Sequence, residues 1–346
     1  MRDWGFYAAT LAPALLIGAA ATAGGIWVWL ALAWMTVAVA LLDALAARRA
    51  AATEDGTEFP AGRRLSVALA LAHAVLLPLG VAAVSGATGL GWAQRGGLFL
   101  ALGLWLGQVS NANAHELIHR PSAGLRRLGV AVFVSLLFGH HASAHPKVHH
   151  RWVGSRRDPN TARRGESFYR FLPRAWRGSF RAGWRAEGDL LRRRDGRTTP
   201  LRHPYAVYVG GGAACLTAAA LAGWAALLAY LALCLHAQAQ LLLSDYVQHY
   251  GLERLEDGNG RLEPVSAAHS WNAPHPASAR MMLNAPRHSD HHAHPAREFG
   301  ALTIPEDAPL LPASLPAMGA LALWPAMWRR VMDPRVAAVA QSRRAA

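Results

Sequence analysis

Cysteine, lysine and acidic residues are all scarce in this chain of 346 residues. The only two cysteines, Cys215 and Cys234, lie inside apolar runs without CxxC spacing, which excludes a disulfide framework and a thiolate metal site. Arginine supplies almost all of the positive charge, because Lys147 is the single lysine among 35 basic residues. With only 21 acidic residues, the formal net charge is +14.

The basic residues are unevenly distributed, and 15 of the arginines fall between Arg151 and Arg202. Such a block is compatible with nucleic-acid binding, but no nucleic-acid motif accompanies it. Beside membrane helices, a cytoplasmic surface that follows the positive-inside rule is the better interpretation. This surface is also expected to attract anionic membrane lipid or an acidic partner protein.

Apolar runs of bilayer length dominate the sequence, in which 53% of the residues are hydrophobic. A helix needs about 20 residues to cross the hydrocarbon core. Six runs approach that length, at about 6–22, 26–46, 65–85, 97–114, 206–223 and 225–247. We therefore predict an all-α integral membrane protein with about six transmembrane helices, in which 1–346 forms a single domain. The first run has no evident signal-peptidase site and is expected to be retained.

Nine of the 17 histidines stand in clusters at the edges of these apolar segments. The clusters are His115 and His119; His145, His149 and His150; His249; and His288, His291 and His292. A four-coordinate zinc ion takes three or four protein ligands, so this set exceeds one zinc site and could furnish two redox metals. His115 and His119 are four residues apart, which places both rings on one helix face. The pattern predicts a membrane metal oxidase.

The arginine distribution predicts which side of the membrane the histidines face. Placing the Arg-rich loop 48–64 in the cytoplasm leaves the short loops 23–25 and 86–96 outside. The spans then bring all four clusters to the cytoplasmic side, together with both termini and the segments 141–205 and 251–346. The run 127–140 must enter the membrane and return, because clusters lie at both of its ends. The run 316–328 is short enough to lie on the membrane. The expected architecture is a helical bundle with a cytoplasmic His-rich di-metal cap.

Two other readings remain open from the residues alone. The sequence His115-Glu116-x-x-His119 matches the zinc-protease pattern with Glu as general base, but that reading leaves the remaining clustered histidines without a role. A metal transporter usually places ionisable residues near mid-membrane, whereas these clusters lie at segment ends. Of the other histidines, His73 is predicted to be a buried polar residue with a local partner. Surface or supporting roles are predicted for most of His140, His141, His203, His236, His269, His275 and His294.

Four motifs resemble those of the integral-membrane alkane 1-monooxygenases (AlkB), part of the membrane fatty-acid desaturase/hydroxylase group. That family shows HELxHK/R, EHxxGHH, NYxEHYGL and LQRHSDHHA. The corresponding segments here are His115-Glu-Leu-Ile-His-Arg120, Ala144-His-Pro-Lys-Val-His-His150, Asp245-Tyr-Val-Gln-His-Tyr-Gly-Leu252 and Ala285-Pro-Arg-His-Ser-Asp-His-His-Ala293. The likeness extends from about 97 to 335, and HYGL and RHSDHHA separate this family from ordinary fatty-acid desaturases.

The resemblance implies that all nine clustered histidines bind metal and that the metal is two non-haem irons. This sequence also departs from the family motifs at three positions. Ala144 and Gln248 stand where the family has carboxylates before His145 and His249, and Asp245 replaces an Asn. Such carboxylates orient imidazoles and tune the metal. Glu116 and Asp290 are the predicted catalytic residues that support the metal ligands, and Asp158 is a further candidate. Each is expected either to accept a hydrogen bond from an imidazole N–H group or to relay protons.

The activity implied by the resemblance is hydroxylation of the terminal methyl group of medium- to long-chain alkanes with O2. No flavin, nicotinamide or rubredoxin-like motif occurs in the chain, so the expected electron donor is a separate rubredoxin or ferredoxin with its reductase. The basic block 151–202 is the predicted dock for an acidic carrier. A related hydroxylase or desaturase acting on fatty acyl or aromatic methyl substrates is the alternative. The expected location is the cell inner membrane, which the chain crosses several times.

Overall fold

The computed structural model describes residues 4–46, 62–196, 199–256 and 258–345. Within them the chain is helical, and its only β-pairing consists of two isolated bridges, Glu256–Leu262 and Asn272–Leu310. Most of the loop predicted at 48–64 lies outside the described residues.

The helices are numbered here in chain order, with continuous helical stretches counted as one. The first group is α1 (Trp4–Ala23), α2 (Ile26–Ala46), α3 (Gly62–Ser85), α4 (92–118), α5 (Ala123–Ser135), α6 (141–152) and α7 (Phe168–Asp195). The second group is α8 (Pro204–Leu221), α9 (Trp224–His249), α10 (Pro276–Met281), α11 (His288–Ala293), α12 (Leu315–Ala322) and α13 (Pro325–Ala345). Short 3-10 turns occur at Pro200–Arg202, Ala267–His269 and Phe299–Ala301.

Five of the described helices are long and apolar enough to cross a membrane: α1, α2, α3, α8 and α9. They coincide within a few residues with five of the six predicted spans. The remaining run, 97–114, lies inside α4 but is not among them. Its second half carries Gln108, Ser110, Asn111 and Asn113, all of which are buried. These polar side chains lower the mean hydropathy of α4 and pack against other helices. The predicted all-α integral membrane fold is therefore confirmed, with α4 inside the bundle.

Helix α9 is the centre of the bundle and contacts α3, α4, α7, α8 and α12. It follows α8 after two residues, Ala222 and Gly223, and the Gly223 φ of 112° is a conformation that glycine adopts without strain. The pair Gly24 and Gly25 joins α1 to α2 in the same way, with φ values of 63° and 59°. These sharp turns fold the apolar helices into antiparallel neighbours.

Helix α7 carries much of the arginine block. Its buried positions recur every three or four residues, at Phe168, Phe171, Ala175, Ser179, Gly183 and Glu187, which is the spacing of one helix face. Arg177, Arg181 and Arg185 lie on the exposed side. The buried face packs on α6 and α9, so α7 covers the histidine-bearing ends of the bundle and presents cations outward.

Candidate metal centre

The nine clustered histidines converge into two groups whose ring nitrogens lie within 4.8 Å of one another. The five-histidine group contains His115, His119, His145, His150 and His291. The four-histidine group contains His149, His249, His288 and His292. Neither group includes a carboxylate or a thiol. Segments that are far apart in the chain thus contribute only imidazole side chains to each group.

Helix α4 supplies His115 and His119 to the five-histidine group from one face, as their spacing of four predicts. Its last turns are buried, and the Nδ2 of Asn113 donates to the Ser66 carbonyl of α3 at 2.9 Å. The Asn111 amide donates to the Ala237 carbonyl of α9 at 2.8 Å. These interhelical hydrogen bonds hold the end of α4 in place, and so fix the position of both rings.

Helix α6 divides its three histidines between the two groups. Residues His145–His149 form a π-helical turn, which is wider than an α-helical turn and typical of functional sites. His145 therefore meets His150 rather than His149: their Nε2 atoms lie 2.9 Å apart. His149 faces the other group instead, so one turn of helix serves both sites.

Helices α9 and α11 complete the site. The Nε2 atoms of His249 and His288 lie 3.0 Å apart, and those of His288 and His292 lie 3.2 Å apart. His291, one residue before His292, turns to the other group and approaches the His150 Nε2 at 3.2 Å. Two nitrogens bound at right angles to a metal about 2.1 Å away are separated by about 3.0 Å. The spacing of these nitrogens therefore fits a metal ion between them.

A buried carboxylate orients His149. Its Nδ1–H donates to Asp158 Oδ2 at 2.8 Å, while the buried Nε2 has no partner among the described residues. Asp158 also accepts from the Thr161 hydroxyl at 2.7 Å and from the backbone N–H of Asn160 at 3.0 Å. Burial lowers the pKa of His149, but the adjacent Asp158 charge outweighs it and raises that pKa above its ordinary value. Such a carboxylate–histidine pair fixes the tautomer of a metal ligand.

Burial also keeps seven of the other clustered histidines neutral. Desolvation lowers the pKa of each below its ordinary value, and electrostatic repulsion between protonated forms of these neighbouring rings lowers it further. These residues are His115, His119, His145, His150, His288, His291 and His292. A neutral imidazole offers a lone pair, which metal binding requires.

Glu116 and Asp290, the predicted catalytic residues, make contacts outside the nine histidines. Glu116 accepts from the Phe299 amide at 3.4 Å and lies 3.3 Å from the Arg120 guanidinium. Burial raises its pKa to about 7, although the Arg120 charge acts in the opposite direction. Asp290 accepts from Arg297 at 2.6 Å and from His294 at 2.8 Å. Both carboxylates thus pair with arginines, Arg120 and Arg297, and stabilise the protein around the site.

Ala144 and Gln248, which stand where the family motifs have carboxylates, make packing and hydrogen-bond contacts of their own. Ala144 is packed closely by α7: a Cβ built on Gly183 would lie 3.2 Å from the Ala144 Cβ. A larger side chain at 144 would need α7 to move. The Gln248 Nε2 donates to the Ala285 carbonyl at 3.0 Å, which ties α9 to the segment before α11.

Glu187 is a polar residue of this region that motif reading missed. It is buried on α7, accepts from the Ser143 hydroxyl at 2.5 Å and pairs with Lys147. It thus brings a carboxylate to α6 from a segment outside the four motifs. The signal was available in the sequence, because Glu187 lies four residues after Gly183 on the apolar face of α7.

A small cavity of about 50 Å³ reaches both metal-site groups. Its walls include His115 and His145 of one group and His288 of the other, with Leu241 and Met282 as apolar lining. A larger cleft of about 880 Å³ is lined by Glu116, Arg120 and Arg297 but by none of the nine histidines. The small cavity is therefore the place where a substrate can meet the site.

The remaining histidines differ in role. His73 has both ring nitrogens satisfied, by the hydroxyls of Ser135 and Ser110 at 2.7 Å each, which confirms it as a buried polar residue with its own partners. His269 offers its carbonyl to the His249 Nδ1 at 3.1 Å and so helps to orient that ring. His141 stacks on His145 with a centroid distance of 4.9 Å and lines the small cavity.

Comparison with known proteins agrees with this site. The profile of the fatty acid desaturase family matches residues 90–321, a stretch that contains every clustered histidine. The chain belongs to this family. It is 32% identical to alkane 1-monooxygenase 2 of Pseudomonas aeruginosa over 90% of this chain and 85% of that protein. Alkane 1-monooxygenase 1 of Alcanivorax borkumensis is 37% identical over 69% of this chain and 60% of its own.

A less similar relative also matches most of the chain. The hydroxylase component of xylene/toluene monooxygenase from Pseudomonas putida is 28% identical over 88% of this chain and 81% of its own. The desaturase-family relatives named here are monooxygenases, and this protein is likewise an oxidoreductase of a membrane-embedded, metal-dependent type. The resemblance to alkane 1-monooxygenases that its four motifs suggest is confirmed.

Proposed function

We propose that this enzyme hydroxylates the terminal methyl group of medium- to long-chain n-alkanes. The balanced reaction takes R–CH3, O2, two electrons and two protons to R–CH2OH and water. The observation that carries the proposal is the pair of all-histidine groups opening into one small cavity, in a chain with relatives that are named alkane 1-monooxygenases.

The proposed metals are two non-haem irons, held by the five-histidine and the four-histidine group. Nine imidazoles exceed what structural or catalytic zinc uses, and nitrogen ligands with an open position suit iron that activates O2. The four-histidine group has one imidazole fewer, which leaves room for a non-protein ligand. Two irons bound there would supply the reductive activation of O2 and the oxidation of the C–H bond.

The residues of the chain then act by positioning and by excluding water. The cavity lies between α4 and α9, with Ala112, Leu241 and Met282 as apolar contacts beside the histidines. A linear chain lying along these helices presents one end to the metals. Secondary C–H bonds are weaker than those of the terminal methyl group and are therefore intrinsically more reactive. Positioning contributes several kcal/mol, which is enough to outweigh this difference and favour attack at the terminal carbon.

Electrons are proposed to come from a rubredoxin or ferredoxin with its reductase, because the chain carries no flavin, nicotinamide or iron–sulfur motif. Within the basic block 151–202, Trp152 follows the proposed ligand His150 by two residues. The guanidinium groups of Arg151 and Arg157 lie 4.8 Å and 4.7 Å from its ring centroid. Both arginines are exposed, which suits an acidic carrier docking close to the five-histidine group.

The proposed setting is the bacterial inner membrane, with the metal site, both termini and segments 141–205 and 251–346 facing the cytoplasm. The exposed arginines of α6 and α7 support this orientation by the positive-inside rule. The chain is proposed to form one membrane domain over 1–346, since α9 packs against helices from both halves of the described chain.

Product analysis tests the reaction. Membranes containing the enzyme are incubated with 18O2, reduced rubredoxin and a panel of n-alkanes, fatty acids and xylenes. A labelled 1-alkanol as the main product supports the proposal. Preferential oxidation of xylene methyl groups would favour the second candidate, an aromatic methyl hydroxylase like the xylene/toluene relative. Unlabelled alkenes from fatty acyl substrates would instead identify a desaturase.

A further inference from the structure

A second, lateral groove of about 230 Å³ adjoins the small cavity at the metal site. The two spaces share Gln108, Ser244 and Met282 as lining residues. Helices α4, α9 and α12 form the walls of the groove, and its rim reaches the protein surface at Leu323, whose exposure is 39%. The two spaces thus meet at these shared residues, and together they line a passage from the histidines to the exposed Leu323.

This passage is polar at the point where a route for hydrocarbon alone would be apolar. Gln108 is buried at the junction of the two spaces, and its Oε1 has no hydrogen-bond partner among the described residues. Its Nε2 donates to the Gln240 Oε1 at 3.3 Å, and the Gln240 Nε2 donates to the Gly103 carbonyl at 2.8 Å. A buried acceptor without a donor costs about 1–3 kcal/mol, so an unmatched Gln108 Oε1 indicates a ligand that brings a donor.

His236 extends the polar lining by one helical turn. It lies near the middle of α9, four residues before Gln240, and lines the groove. Its buried Nε2 also has no hydrogen-bond partner in the described part of the chain. Ionisable residues at mid-membrane are costly and are by default functional.

Two glycines of α4 make room for these side chains. A Cβ on Gly103 would lie 2.8 Å from His236, and a Cβ on Gly107 would lie 2.2 Å from Gln240. The groove thus accommodates a polar stripe that hydrocarbon binding alone does not need.

We propose that Gln108, Gln240 and His236 form a hydroxyl-binding path that carries the primary alcohol product from the metal site sideways into the bilayer. This inference rests on the proposed alkane hydroxylation. The hydroxyl group forms beside His115 and His288, where the alkane itself has no polar atom. Its O–H donates first to the Gln108 Oε1, and farther out it meets the Gln240 amide and the His236 ring. The path favours the alcohol over the alkane because only the alcohol satisfies these groups.

Photolabelling tests the path without turnover. The iron-loaded protein in lipid nanodiscs is labelled with a 1-decanol that carries a diazirine beside the hydroxyl carbon. Label is expected on the peptides around Gln108 and His236. Unlabelled 1-decanol should displace the probe at a lower concentration than n-decane does. In Gln108→Leu, the concentration of 1-decanol that displaces half of the probe should rise about tenfold relative to the corresponding concentration of n-decane. This is the change expected for loss of one buried hydrogen bond.

Matched variants separate the hydroxyl effect from groove shape. Leu323→Ala changes an apolar wall of the same groove and should shift displacement by 1-decanol and n-decane equally. Gln240→Met, with near-equal volume, gives a second polar deletion should Gln108→Leu fold poorly, and iron content reports folding of each variant. Two outcomes would refute the proposed path: label confined to other helices, or displacement by 1-decanol and by n-decane weakened equally in the glutamine variants. Production of 1-alkanol is scored separately, so its absence refutes the proposed function and leaves the binding result readable.

Discussion

His149 donates from Nδ1 to Asp158 at 2.8 Å, and this contact decides which nitrogen of the ring faces the four-histidine group. The two residues lie nine positions apart, across the end of α6 and the loop that follows it. Because Asp158 is itself held by Thr161 and Asn160, the ring is fixed before any metal binds. The carboxylate therefore shapes the metal site without entering it.

Asp158→Asn is predicted to weaken metal binding in the four-histidine group. The amide can still contact the ring but lacks the charge that fixes the tautomer, and the loss of such a partner typically lowers metal affinity by about 10–100-fold. Titration with a chelator, followed by iron analysis, measures the effect. Asp189→Asn, an exposed carboxylate paired with Arg192 on α7, is the control and should retain its iron. Equal iron retention by both variants would contradict the assigned role.

Purified protein is predicted to contain about two irons per chain and no stoichiometric zinc. His249→Ala and His288→Ala should each lower iron content and abolish turnover, because they remove ligands of the four-histidine group. His275→Ala, which affects a histidine outside both groups, should leave iron largely intact. Elemental analysis that finds one zinc and negligible iron would refute the oxidase assignment.

Gly183→Ala is predicted to destabilise the packing of α7 on α6. The added Cβ would lie 2.4 Å from the buried Tyr205 hydroxyl and 3.2 Å from Ala144, and overpacking of this kind costs about 1–3 kcal/mol. The expected result is a lower Tm and weaker iron retention in detergent. Gly210→Ala on α8 is the matched control, since a Cβ there meets nothing within 4 Å. A Gly183→Ala protein as stable as the control would show that α7 adjusts freely.

Arg151→Glu combined with Arg157→Glu is predicted to impair electron delivery. The double variant reverses two exposed charges beside Trp152, so KM for the reduced carrier should rise and its dependence on ionic strength should weaken. Steady-state assays at several salt concentrations measure both effects. Arg193→Glu, at the far end of α7, is the single-site comparison and should change KM much less. The same KM for all proteins would place the dock elsewhere.

Single cysteines at Ser155 and Arg193, in a background without Cys215 and Cys234, are predicted to resist an impermeant thiol reagent in intact cells. Both positions lie in the segment assigned to the cytoplasm. A cysteine at Thr88, in the exposed turn at the opposite end of α3 and α4, should react readily in the same cells. Reaction at Ser155 and Arg193 but not at Thr88 would reverse the orientation.

Hydropathy was sufficient to predict most of the fold. Five spans match because lipid-facing helices must be apolar along their length. The run 97–114 departs from this pattern because α4 packs inside the bundle, where Asn111 and Asn113 bind neighbouring backbone carbonyls.

The convergence of nine histidines was predictable from their clusters, but their division into five and four was not. That division depends on the π-helical turn at His145–His149, a backbone register that residue spacing alone does not reveal. Glu187 escaped motif reading for a different reason: it reaches Ser143 across 44 positions of sequence. Only the periodicity of α7 indicated that this acid faces inward.

Two pairs of sequence neighbours, His149 with His150 and His291 with His292, send their rings to different groups. A backbone shift that loosens one member of a pair must also displace the other, since a single peptide unit joins them. Filling and emptying of the two sites are thereby mechanically linked. Iron should consequently enter and leave as a pair, with half-filled protein a minor species at every stage of the titration.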